Sequence, residues 1–274
     1  RLQADELKAK DPFQNVLNLE AEIQRVKELL EKQRETIEGP LRKQLKDEIE
    51  RCREISELRG VAVSYLVNSF QHNARRCTGK DNPIFDEICP HLALGPNGIG
   101  FGTMCPHDGR PHSSIVDAVA ENDRKRATHF VSWCWKYHLV TVISALMRFA
   151  RDHGLIHADV FVWICFFCNN QYRIIGEGRP PIESTKLRQI FGNHLTSIGQ
   201  VLILLDTFEK PIYTKRIWCV FEAYLCTHEK IPMSVILPDS AESAFTVITL
   251  NDLKKVYKTL ISGMPAQHTR QMSS

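Results

Sequence analysis

The 274-residue chain has little charge of either sign to spare: 35 Lys and Arg stand against 32 Asp and Glu, a formal net charge of +3. That surplus is too small to argue for nucleic acid, and no dense basic patch interleaved with aromatics stands out. Long apolar runs are also missing. The longest, Leu139 to Met147 and Val160 to Phe167, fall well short of the roughly 20 residues a membrane helix needs, so no membrane association is expected. No G-x-G-x-x-G follows the first expected strand and no P-loop is present, which argues against a Rossmann dehydrogenase and a P-loop NTPase. No signal peptide is seen, and Arg1 in place of methionine reads as the start of a fragment. Cysteine is present but not as a framework. The 9 residues are odd in number, and Cys134, Cys165, Cys168 and Cys219 sit inside apolar runs, as reduced cysteines of a cytoplasmic protein do.

What is there divides by pattern. In residues 1–70, Val16, Leu19, Ile23, Val26, Leu30 and Ile37 alternate three and four apart, with Gln33 in the one polar slot. This is a heptad seam of about three heptads. Gly39-Pro40 is expected to break it, because glycine is a poor helix former and proline removes a donor. A second helix is then expected from Leu41 through Leu45, Ile49 and Cys52 towards Leu66. Two readings stand: an oligomerising coiled coil, or an intramolecular hairpin bent at Gly39-Pro40. Residues 71–126 form an irregular connector rich in Cys, His, Gly and Pro. Cys89-Pro90-His91 and Cys105-Pro106-His107, with His112 after them, raise the question of zinc. Cys-x-His is tighter than the usual ligand spacing, so an ordered loop without metal is the preferred reading.

From 127 to 262 strand and helix alternate. Strands are expected at Thr128–Cys134, Val160–Phe167, Val201–Leu205 and Met233–Leu237. Helices are expected at Leu139–Arg151, Ser184–Ile198, Thr214–Thr227 and Asp252–Ile261, with Ala244–Leu250 open to either state. Such alternation implies a parallel sheet with helical crossovers. The tail, 263–274, is expected to be disordered.

One stretch carries chemistry. Val201–Leu205 is followed by a loop with Pro211 and then by a helix bearing Trp218, Cys219 and Glu222. Trp218 and Glu222 are one turn apart on one helix face. The carboxylate therefore lies near the carboxyl end of a buried strand, the edge at which open α/β sheets bind ligands. This strand, loop and Trp-Cys-x-x-Glu helix resemble part of the TIR domain, and the resemblance covers about residues 127 to 262. THFVSWCW matches its first strand, VFVWICFF its second, and Asn169–Pro181 its association loop. The set THFVSWCW, VFVWICFFCNNQYR, IGQVLILL and RIWCVFEAYLC looks like a group of TIR-like proteins of algae and other protists. The resemblance implies a flavodoxin-like parallel sheet in an α/β fold, preceded here by the coiled-coil or helical-hairpin segment. It further implies a signalling role, a homo-oligomer through TIR–TIR or helical contacts, and NAD as substrate rather than cofactor, with Glu222 as the catalytic carboxylate.

The chemistry fits a carboxylate. Breaking the nicotinamide–ribose bond leaves positive charge on the sugar, an oxocarbenium-like species that a fixed carboxylate stabilises. Candidate substrate-binding residues are Trp133, Trp135 and Tyr137 as walls, Ser132 and Lys136 for phosphate or ribose, Asn169, Asn170, Gln171 and Tyr172 at the second strand's end, and Trp218. The bulky run Trp133–Tyr137 replaces the charged residues usual in TIR domains, which predicts a narrower or a closed site. Cys165-x-x-Cys168 is read as structural, since on a strand the two would face opposite sides. Two other functions compete: a non-catalytic TIR interaction module, and a nucleoside N-glycoside hydrolase or transferase.

Overall fold

The computed structural model describes residues 12–178 and 192–241, with side chains from residue 19 onward. The expected helix at Asp252–Ile261, the ambiguous Ala244–Leu250, the tail and most of Ser184–Ile198 lie outside the described residues. The chain divides into two compact units, Arg1–Cys52 and Arg53–Ser274.

The described residues of the first unit, 12–52, are helix. α1 (Pro12–Glu57) is a single helix of 46 residues with Pro40 inside it. The expected break at Gly39-Pro40 does not occur. Proline removes one donor and crowds the preceding turn, but Glu38 accepts from Arg34 on one side and Arg42 on the other, both at 2.9 Å, tying the turns across the proline. Nor does the helix reach Leu66. It ends at Glu57, and residues 59–62 leave it for a strand.

The second unit is built on a six-stranded, mostly parallel sheet. Its strands are β1 (Arg59–Ala62), β2 (Arg124–Arg126), β3 (His129–Ser132), β4 (Phe161–Trp163), β5 (Val201–Leu204) and β6 (Met233–Ile236). Their order is β2-β1-β4-β3-β5-β6. The pairs β3–β4, β3–β5 and β5–β6 are parallel, whereas β1 runs antiparallel to both β2 and β4. From β3 the chain thus moves to one side to make β4 and to the other to make β5. A crevice forms at the carboxyl ends of strands where such a reversal falls.

Alternation along the strands sorts the core into two layers. Val131, Val162, Leu202 and Leu204 point into one; Phe130, Trp163, Val201, Ile203 and Leu205 point into the other. Both faces are therefore covered, as the near-continuous apolar strands require.

The first layer is closed by helices on the amino-terminal side of the sequence and by α6. After β1 the chain forms α2 (Val63–Tyr65), a π-helical turn (Leu66–Phe70) and α3 (Gln71–Thr78). Gly79 ends α3 in the left-handed region at φ 67°, a conformation that costs glycine least. α4 (Phe85–Leu92) and α5 (Ile115–Ala118) follow. Parts of residues 71–126 are built into the core through α4 and α5: Phe85 meets Phe166 at a ring centroid distance of 5.1 Å, beside Phe70 at 6.0 Å, and Ile88, Ile115 and Val116 are buried. α6 (Leu139–Asp152) buries Leu139, Val142, Ile143, Leu146 and Phe149, the stripe its spacing predicts. The second layer is closed by α8 (192–198), through Leu195, and by α9 (Ile217–His228), through Cys219, Leu225 and Cys226.

The strand expected at Val160–Phe167 is shorter. β4 stops at Trp163, and Cys165–Cys168 form a helical turn, α7. A short buried apolar run does not distinguish strand from helix by period alone.

Candidate active site

β3 ends at Ser132, and the segment after β5 returns over that end. Asp206 Oδ1 accepts from the Ile212 N–H at 3.0 Å and fixes the return. A single turn at Ile212–Lys215 follows, and then α9 begins. This places Glu222, in the second turn of α9, against the carboxyl end of β3. Glu222 is only 8% exposed.

Its carboxylate contacts Ser132 Oγ in a short hydrogen bond. Ser132 Oγ lies 2.7 Å from Tyr213 Oη, which is 2.8 Å from the Cys219 carbonyl oxygen. Both Ser132 and Tyr213 are buried. Each hydroxyl carries one proton, whereas the chain from Glu222 to the carbonyl has three contacts. With Glu222 ionised, two protons serve three contacts and one contact fails. With Glu222 protonated, the acid donates to Ser132, Ser132 to Tyr213 and Tyr213 to the carbonyl, so all three are made. The buried row is complete with a neutral acid. Burial acts in the same direction and pushes the Glu222 carboxyl up to about 7, while a hydroxyl donated by Ser132 and the charge of Arg216 oppose it.

Beside this row opens a cleft of about 350 Å³ lined by Asp86, Cys134, Trp135, Lys136, Ile212, Lys215 and Arg216. Three cations face one carboxylate there, a lining suited to an anionic ligand. Glu222 is not among the lining residues; Arg216, whose charge reaches it, is.

The residues singled out in the sequence separate into groups. Ser132 and Glu222 are brought together, and Trp135 and Lys136 line the cleft. Trp133 and Tyr137 do not form walls. Trp133 is core, edge-on to Phe85 at 4.5 Å, and Tyr137 is buried with its hydroxyl donating to the Leu204 carbonyl at 3.1 Å. Trp218 does not share the burial of Glu222: it is 41% exposed and meets Phe221 edge-on. The helix lies so that a one-turn offset already carries a side chain from interior to surface.

Three of the four residues Asn169 to Tyr172 turn their side-chain donors to the protein itself, while Asn170 Oδ1 is buried without a protein partner. Asn170 Nδ2 donates to the His112 carbonyl at 2.8 Å, Gln171 Nε2 to the Cys165 carbonyl at 2.8 Å, and Tyr172 Oη to the Gly95 carbonyl at 3.1 Å. Asn169 caps α7 with its N–H on the Cys165 carbonyl at 3.1 Å. Arg173 extends the bracing, with Nε on Asp108 at 2.8 Å and Nη2 on the Pro111 carbonyl at 2.8 Å.

Cys165 and Cys168 sit on a helical turn rather than a strand, and burial raises both thiols, Cys168 well above its ordinary value. Neither is activated as a thiolate. Among the described residues no group of three or more His, Cys, Asp or Glu is arranged to hold a metal ion. Cys89 is core, His107 Nε2 lies 3.0 Å from Ser56 Oγ, and His112 stacks on Phe101 at 4.4 Å.

Sequence reading missed Tyr213, Lys215, Arg216 and Asp86. Lys215-Arg216, a basic pair directly before the Trp-Cys-x-x-Glu helix, carried a usable signal. Tyr213 carried none, since a loop tyrosine does not reveal which hydroxyl it will meet.

Fold and site define an α/β protein with a mostly parallel sheet and, at its carboxyl edge, a buried carboxyl beside a cationic cleft. No family model, no curated protein and no solved structure matches the chain.

Proposed function

We infer that the second unit is a TIR-like domain with a flavodoxin-like sheet, and that it hydrolyses the N-glycosidic bond of NAD with Glu222 as the catalytic carboxylate. The strand order supports the fold reading. Counted from β3, the parallel strands run second, first, third, fourth, and the crevice falls beside the first. One observation carries the function: the carboxyl of the Trp-Cys-x-x-Glu helix is fixed by Ser132 at that crevice, next to a cleft rimmed by Lys136, Lys215 and Arg216.

The cations suit the pyrophosphate, and half-buried Trp135 offers a face for a ring. The substrate's own positive charge, brought next to Glu222, favours the ionised form. The carboxylate then stabilises the positive charge that develops on the ribose as the bond to nicotinamide breaks. The bonding pair leaves on the ring nitrogen, and water adds to the ribose carbon and releases a proton. The products are nicotinamide and ADP-ribose, or the cyclic form when an internal nucleophile replaces water.

A second reading, a non-catalytic interaction module, is favoured by one observation: Glu222 lies behind the cleft rather than in it. NAD consumption by wild type and Glu222→Ala, at dilute and at assembly-favouring concentrations, separates the two. Turnover lost in the variant supports the hydrolase. No turnover in any state of a folded wild type sinks it and leaves the module.

A further inference from the structure

The apolar stripe of α1 has a pattern that one kind of partner fits. Leu19, Ile23, Val26, Leu30, Ile37, Leu41, Leu45 and Ile49 are each 46–64% exposed. A surface helix that is polar all round can stand alone, but one with a continuous apolar seam needs a cover. From Leu19 to Ile37 the seam repeats every 3.5 residues, the period at which two helices keep facing one another in a left-handed supercoil. A helix packed on a globular core follows the 3.6 period instead.

We propose that α1 pairs with α1 of a second copy of this chain, parallel and in register, through the seam from Leu19 to Ile37.

Four observations commit the seam to this occupant. Ile23, Leu30 and Ile37 occupy the a positions and Leu19 and Val26 the d positions; isoleucine at two of these a positions, with leucine at d in Leu19, favours two strands, and only Val26 at d runs against it. Gln33 is the polar d residue. In a parallel, in-register pair it meets its own copy, and each amide donates to the other; in an antiparallel pair centred elsewhere it faces apolar side chains and both amides go unmet. Glu22, at g, faces Lys27 of the second copy, at e of the next heptad, and symmetry makes this attractive pair twice. Last, the five exposed apolar side chains of the seam on each helix bury up to about 1,000 Å² for the pair, the area at which a specific interface begins. Beyond Ile37 the apolar spacing changes to four, four and four through Leu41, Leu45 and Ile49. In the heptad frame they fall at e, b and f, so the stripe turns away from the seam round the helix after Ile37, where Pro40 lies.

The full chain is tested by light scattering on a sizing column and by cross-linking. Wild type is expected at twice the mass of one chain at micromolar concentration. The double variant Ile23→Glu/Leu30→Glu is expected at the mass of one chain, with the near-ultraviolet dichroism of the second unit unchanged. Orientation is read separately. Gln33→Cys, treated with diamide, is expected to give a covalent dimer, two thiols surrendering two electrons and two protons to the oxidant as the disulfide forms. Glu28→Cys, on the opposite face, is expected to give none. A wild type of single mass overturns the proposal, as does a double-mass species that persists in the double variant. A larger species, or dimers without the Gln33→Cys cross-link, overturns the two-stranded parallel arrangement. These readouts do not depend on NAD turnover.

Discussion

Replacing Glu222 with Gln tests the proton count in the buried row. The fold raises this carboxyl from 4.5 to about 7. An acid whose value is raised on folding favours the folded state when protonated. Its contribution is complete below about pH 4.5 and is lost as the pH climbs through about 7. At about 1.4 kcal/mol per pH unit the loss across that window is about 3 kcal/mol. Glu222→Gln keeps the shape, presents an amide N–H to Ser132 where the acid presents O–H, and does not titrate. Urea unfolding of wild type and variant at the two ends of the window measures the effect. Other titrating groups are common to both proteins, and any fixed cost of the second amide hydrogen cancels between the two pH values. The variant is expected to lose about 3 kcal/mol less than wild type as the pH rises. Equal losses refute both the burial argument and the three-proton row.

Other consequences follow from neighbouring contacts. Tyr213→Phe removes the acceptor for the Ser132 proton, so Ser132 turns to Glu222 and favours its ionised form. The acid limb of NAD turnover is expected to move to lower pH, with a stability loss of about 1–2 kcal/mol for the unmet Cys219 carbonyl, read from rate profiles and urea midpoints. Arg216→Ala is expected to raise the KM for NAD about tenfold or more with the fold intact, since it removes a cation from the cleft rim. Asp117→Ala tests a structural cluster: the buried carboxylate accepts from Ser56 at 2.8 Å, Ser114 at 2.8 Å and Arg59 at 2.9 Å. Its loss leaves three donors facing a void and is expected to cost about 3–5 kcal/mol in urea unfolding.

The inner strands of the sheet were legible because Val201–Leu205 and the run before Ser132 are short, apolar and bounded by loops. β1 was not. Arg59–Ala62 contains only four residues and follows a long helical period with no turn signal beyond Gly60. That glycine is required by the sheet: a Cβ there would sit 2.8 Å from the Val162 carbonyl carbon, a contact invisible without β4. β2 reads Arg-Lys-Arg and has no strand composition at all. The end of β4 failed for another reason, since VFVWICFF is apolar at every position and carries no period to say where strand turns to helix. At the site, Glu222 was singled out by its place after the third strand together with the resemblance of its helix to the TIR motif, and Ser132 by its place at the end of the first strand; the structure brings the two together. Trp133 and Tyr137 were misread because alternation after a strand end depends on a turn the sequence does not specify.

The same charged β2 has a consequence for how molecules of this protein meet. A sheet's outer strand offers unpaired backbone groups to any extended chain that drifts alongside, and a lysine or arginine on that strand must lose water before a neighbour can add. Among the described residues β2 is such an outer strand, and it places three consecutive cations there, two of them exposed, with Lys125 over the Phe161 ring at 5.2 Å. This end of the sheet therefore resists growth by strand addition, including by another copy with the same charges.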